Sequence, residues 1–127
     1  YPNGLGRTLD QVASLNEGPI VEKMSFSCMG DKDFVSHFKK AGREQAVIVG
    51  IEAHVCVLQT AMDLLSRDVQ VFVVADATSS RKPESHALAM NRLRGAGAEI
   101  VSTEMVVFEW LEKADAPEFK KLSRLIK

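Results

Sequence analysis

Three short stretches limit what this chain can fold into. Ala46–Val49, Val69–Val74 and Ala98–Val101 read AVIV, VQVFVV and AEIV, rich in β-branched residues and with little alternation of apolar and polar positions. A strand with one wet face alternates, whereas a strand covered on both faces does not. The stretches between them have helical period. In Val55–Arg67, residues Val57, Leu58, Ala61, Leu64 and Leu65 share one face. Pro83–Leu93 opens with a proline in its first turn, where a missing N–H costs nothing, and Gly95 and Gly97 mark its exit. Thr103 is expected to cap a helix running to Leu111. Apolar strands alternating with amphipathic helices predict a parallel sheet between helix layers, the three-layer α/β/α class.

The residues before Ala46 are less regular. Tyr1–Gly6, YPNGLG, is turn chemistry. Arg7–Leu15 reads as a short helix with Thr8 at its cap. Pro19–Val21 reads as a short strand, followed by an irregular EKMSFSCMG. Asp31 suits the N-cap of a helix over Lys32–Ala41, with Phe34 and Phe38 one turn apart on its buried side, and Gly42 is placed to end it. Pro117 opens a last short, basic stretch. With no repeat, linker or low-complexity segment, residues 1–127 read as one domain.

Charge and cysteine use narrow the function. The 16 Lys and Arg against 17 Asp and Glu give a net charge of −1 with no basic block. That predicts neither a nucleic-acid surface nor electrostatic attraction to a membrane. The apolar runs fall far short of the roughly 18 residues a membrane span needs, and Tyr1-Pro2-Asn3-Gly4 does not read as a targeting leader. Two cysteines, irregularly placed, suit a reducing compartment, so the expected location is cytoplasmic.

Of those two, Cys56 stands out. It follows the strand AVIV and Gly50 and opens a helix. In open parallel sheets ligands sit beyond the carboxyl ends of the strands. A thiol at a helix start ionises more readily, and the N–H groups there can receive an oxyanion that develops during attack on a carbonyl. Against this, free cysteines are among the most buried residue types and most are inert. Cys28, beside Met24, Phe26 and Met29, has no such placement. A thiolate nucleophile needs a nearby base or cation. Lys23 follows the apolar PIVE segment and is the candidate cation, although most lysines are simply solvated. His54 lies two residues from Cys56 and is at best a supporting group. His37 and His86 read as surface or capping residues, and the three histidines are too dispersed for a metal site. GLG at Gly4–Gly6 lacks the strand that a phosphate-binding loop needs.

Together these segments resemble the isochorismatase-like hydrolase superfamily, whose cysteine hydrolases include the nicotinamidases. GIEAHVCVLQTAMDLL resembles the family's nucleophile segment and VEKMSFSCMG its lysine segment. VVADATSSRKPESHALAMNRLRGAGAEIVSTEMVVFEWL resembles its C-terminal half, and Tyr1–Gly6 is similar to the YPxGLG of the uncharacterised isochorismatase-domain branch. The resemblance implies a Rossmann-like parallel sheet of six strands and an Asp–Lys–Cys trio with Cys56 as nucleophile and Lys23 as the lysine. It further implies a cis peptide bond at Ile51–Glu52 and an oxyanion hole made by the N–H groups of Glu52 and Cys56. Phe26, His54 and Arg81 are the candidates for contact with a small-molecule substrate.

Two departures from the family pattern shape the expectation. Its aspartate, carried on the first strand, matches none of Asp10, Asp31, Asp33, Asp63, Asp68, Asp76 or Asp115, so the first strands are expected to lie outside this sequence. No histidine stands near YPNGLG, where the nicotinamidase branch binds its metal, so neither metal nor cofactor is expected. A retained Cys56 points to acyl transfer on a small amide or related C–N bond. The alternative is a non-catalytic scaffold or oligomerisation module. In that reading MVVFEWL, Met105–Leu111, is a subunit contact with Trp110 at its centre. The family generally assembles as dimers or larger, so a homo-oligomer is expected.

Overall fold

The computed structural model describes residues 1–126. Strands β1 (Gln45–Ile51), β2 (Gln70–Ser79) and β3 (Glu99–Val101) form a parallel sheet in the order β1-β2-β3. The described residues therefore carry three strands, where the resemblance implies six. Pro19–Val21 is not one of them: it lies in irregular chain, with no ladder partner among the described residues. A strand exists only with a neighbour to bond to, and apolar composition alone does not supply one.

Helices cover both faces. The helices α3 (Lys32–Ala41), α4 (Leu58–Leu65) and α5 (Pro83–Gly95) pack on one side. There Val71 and Val73 of β2 meet Leu58, Ala61 and Leu64 of α4 and Ala89, Met90 and Leu93 of α5, with Ala46 and Ile48 of β1 alongside. Helix α6 (Thr103–Leu111) takes the opposite side, where Phe72, Val74, Val101 and Val106 cluster. Alternate residues of β2 thus enter two cores. Each fully buried Val or Leu contributes about 1.5–3 kcal/mol.

Local chemistry sets the helix ends. The Asp31 carboxylate accepts from the Asp33 and Phe34 amides at 2.9 and 3.0 Å, and Gly42 closes α3 in the left-handed region. Phe34 and Phe38 stack at 6.1 Å. The cap of α6 falls one residue earlier than the sequence suggests: Ser102 Oγ accepts from the Met105 amide. Thr103 instead donates its amide and hydroxyl to Asp76 Oδ1, at 2.8 and 3.1 Å. Short helices α1 (Pro2–Leu5) and α2 (Asp10–Ala13) occupy the N-terminal turns, α2 starting after Leu9 rather than at a Thr8 cap, and α7 (Phe119–Leu125) ends the described chain.

Ile48 pairs with Val73 but Gly50 pairs with Thr78, so β2 bulges beside the carboxyl end of β1. At the other end, Gln45 donates to Gln70 and Gln70 to Glu99, both at 2.8 Å, a side-chain ladder across all three strands.

Candidate active site

The carboxyl end of β1 builds the first wall. Gly50 has φ 107°, a conformation L side chains rarely adopt, and the peptide bond Ile51–Glu52 is cis. The chain then enters a π-helical turn, Ala53–Val57, closed by the Val57 amide donating to the Glu52 carbonyl at 3.2 Å. Single π turns of this kind concentrate at functional sites. The expected helix over Val55–Arg67 is therefore two pieces, the π turn and α4. Ala53 and Val57 point into the core and anchor the turn, while Cys56 between them is half-buried.

A second wall comes from the irregular segment before the 3₁₀ turn Cys28–Gly30. Lys23 folds back on its own loop, its Nζ donating to the carbonyls of Ser25 and Phe26, each at 2.8 Å. An ammonium has three donors, and these contacts use two.

Lys23 and Cys56 line one cavity of about 560 Å³. Glu52 and Arg81 line it too, as do Met24, Phe26, Ile51 and Val55. The sequence candidates Cys56, Lys23, Ile51, Glu52, Phe26 and Arg81 thus converge, although they come from three separate segments. His54 does not join them. Its Nδ1 pairs with Ser80 Oγ at 2.9 Å, tying the π turn to the exit of β2. Nor does Cys28, whose amide donates to Thr60 Oγ1. His37 is exposed on α3, and His86 Nε2 sits 3.2 Å from both the Ala75 carbonyl and Thr78 Oγ1, bracing the bulge of β2. Among the described residues no three His, Cys, Asp or Glu side chains come together as metal ligands.

Glu52 and Arg81 form a unit that the sequence did not pair. Glu52 Oε1 accepts from the Arg81 amide at 3.0 Å, and Oε2 lies 3.3 Å from the guanidinium. The carboxylate beside the thiol is thus held by the loop after β2. Tyr1 and Leu5 also line the cavity, which composition-based reading of YPNGLG as a turn had no means to find. Among the described residues no aspartate lines it.

A parallel sheet layered by helices, with its first strand delivering a thiol to a cavity that also holds an ammonium, is an α/β domain of the hydrolase fold. Residues 5–105 match the isochorismatase domain, and the chain belongs to that family. It is 37% identical to the secreted isochorismatase effector Isc1 of Phytophthora sojae, over 100% of this chain and 63% of that protein. Isochorismatase domain-containing protein 2 of Danio rerio is 36% identical over 99% of this chain and 64% of its own length. Among solved structures, the MAR1 ribonuclease from Caenorhabditis elegans matches with a TM-score of 0.88 and 38% identity, covering 99% of this chain and 65% of that one. The chain spans under two thirds of each of these relatives.

Proposed function

We propose that these residues form the thiol-bearing part of a cysteine-dependent hydrolase acting on a small amide or related C–N bond. The observation that carries this reading is the convergence of Cys56 and Lys23 on one cavity. Its volume of about 560 Å³ and largely apolar walls suit a small molecule, since such pockets run to roughly 300–1,000 Å³. An aspartate takes the thiol proton and Lys23 stabilises the thiolate. The sulfur attacks the carbonyl carbon, and the resulting oxyanion accepts hydrogen bonds from the Glu52 and Cys56 amides. Collapse breaks the C–N bond, the protonated aspartate supplying the amine with its proton, and water then hydrolyses the thioester to acid and thiol. Each oxyanion donor is worth about 2.7–4 kcal/mol in the transition state. No metal or cofactor is needed.

The aspartate, in this reading, lies outside these 127 residues, on a strand that adds beside β1 and completes one isochorismatase domain. Two observations support it: β1 is an edge strand of the described sheet, and its residues Val47, Val49 and Ile51 are 41%, 58% and 72% exposed. In the full-length protein an apolar strand ending in aspartate is expected ahead of Tyr1, and a sequence without one refutes this arrangement. Both thiols are free, which suits the cytoplasm, although the Phytophthora relative is named a secreted protein. The Caenorhabditis relative is named a ribonuclease. A net charge of −1 and an apolar cavity favour a small amide over RNA here. The exposed apolar side chains of α6, Trp110 above all, support self-association as dimers or larger.

The test is labelling of the full-length protein with iodoacetamide at neutral pH, mapped by mass spectrometry, with turnover of a panel of small amides alongside. Cys56→Ala is expected to abolish both. Label falling wholly on Cys28 in the unmodified protein overturns the assignment and favours a non-catalytic scaffold.

A further inference from the structure

Lys23 sits in a stretch with no helix or strand between Ala13 and Cys28, so regular structure does not fix where its ammonium lies. A chain of side-chain hydrogen bonds does. The two carbonyls that hold Nζ belong to Ser25 and Phe26. Ser25 Oγ donates to the Ser27 carbonyl at 2.8 Å, and Ser27 Oγ donates to Asp63 Oδ2 at 2.6 Å. One residue on, the Cys28 amide donates to Thr60 Oγ1 at 3.0 Å. Both acceptors stand on α4, four and seven residues after Cys56 and so about one and two turns along the side of the helix that carries the thiol.

We propose that Thr60 and Asp63 are positioning residues, which strap the Lys23 loop to the helix of Cys56 and so set the place of the ammonium relative to the thiol. This rests on the reading of Cys56 and Lys23 as nucleophile and cation. The two hydroxyls of the strap are buried: Ser27 is 8% exposed and Thr60 5%. The Cys28 amide is half-buried, and losing its acceptor favours a movement of the loop that regains one. The Ser27–Asp63 bond is short and charge-assisted, the stronger of the two ties. Both anchors lie on the helix that continues from the thiol's own turn. Any displacement of the loop is therefore a displacement of Lys23 relative to Cys56, with Glu52 and Arg81 the other charged side chains lining the cavity and Tyr1 a further titratable one.

The experiment measures the rate of iodoacetamide alkylation at Cys56 against pH in the full-length protein, with the thermal midpoint recorded for every variant. Lys23→Met is the reference. Thr60→Val keeps the shape and removes the acceptor. It is expected to lower the rate at pH 7 on the order of tenfold and to move the pH profile in the same direction as Lys23→Met. Thr60→Ser restores both. Asp63→Ala, at a half-buried position, cuts the strap from its other end and is expected to act alike, which keeps the test available should Thr60→Val not fold. If Lys23→Met slows alkylation but Thr60→Val and Asp63→Ala change only the thermal midpoint, the strap is structural and this inference is overturned while the nucleophile assignment stands. If Lys23→Met itself leaves the profile unmoved, the thiol–lysine pairing fails, and the positioning role with it.

Discussion

Gly50→Ala separates backbone geometry from packing at the site. An added Cβ at Gly50 meets no atom within 4 Å, so sterics contribute nothing. The cost is torsional, because φ 107° lies beyond even the small left-handed region open to other residues. Holding a non-glycine residue there costs about 1–3 kcal/mol. For a chain of this length one kcal/mol corresponds to about 4 °C in thermal midpoint, so a fall of roughly 4–12 °C is expected by calorimetry. Gly42→Ala is the control. Gly42 has φ 60° and again nothing within 4 Å of an added Cβ, but it ends α3 and does not line the cavity of Cys56. It is expected to cost about 1–2 kcal/mol and to leave Cys56 alkylation unchanged. Gly50→Ala is expected to slow alkylation as well, since the backbone relaxes by moving Ile51 and Glu52, which line that cavity. An unchanged thermal midpoint would falsify the torsional argument. A lowered midpoint with wild-type alkylation would show that the turn after β1 does not shape the site.

Two further outcomes follow from the charges and the surface. Glu52→Ala removes an ion pair whose side chains are 72% (Arg81) and 27% (Glu52) exposed, itself worth at most about 1 kcal/mol, together with the acceptor of the Arg81 amide. It also removes a negative charge from the cavity and releases a positive one. Cys56 alkylation at pH 7 is therefore expected to speed up several-fold at low ionic strength, and the gain to shrink as salt screens it; a slower rate at low salt contradicts the electrostatic account. Trp110→Glu places a charge on a side chain that is 72% exposed on α6. If α6 forms a subunit contact, sedimentation will show smaller species with an unchanged far-ultraviolet spectrum, and an unaltered mass rules that contact out.

What the sequence made legible was mostly local. Asp31 caps α3 through amides two and three residues away, and Gly42 ends it by its own torsion, so neither needs the rest of the fold. The centres of β1, β2 and β3 were legible because their sequences are largely apolar, with little alternation. Apart from the one-residue shifts at the starts of α2 and α6 and the π turn, the misses are non-local. Pro19–Val21 is apolar enough for a strand but has no neighbour. The sequence ends β2 at Val74, ahead of Asp76, yet the strand continues to Ser79 because the bulge lets Asp76 turn outward to Thr103. The π turn adds one residue to a helical period, too small a change to read from spacing. His54 is close to Cys56 in sequence, but its ring bonds Ser80, which no local rule anticipates. Glu52 and Arg81 stand 29 positions apart in sequence, and only the meeting of two strand ends pairs them.

The same contrast bears on β1. Its sequence, QAVIVGI, is apolar without alternation, whereas its exposure alternates, with Ala46 and Ile48 packed and Val47, Val49 and Ile51 open. An edge strand with one wet face would be expected to carry polar residues on that face. The pattern therefore belongs to a strand buried on both sides, and the pressure for cover grows towards Ile51, which is the most exposed of the three and also lines the cavity. Cover for that face takes a packed layer, whereas the free edge of β1 in the described sheet takes a strand, which if parallel would end at the same edge of the sheet as Cys56. The cavity at that edge is where the proposed chemistry needs a carboxylate, and among the described residues only Glu52 lines it with one, already held by Arg81. The free edge of β1 in the described sheet and the proposed chemistry thus ask for the same neighbour.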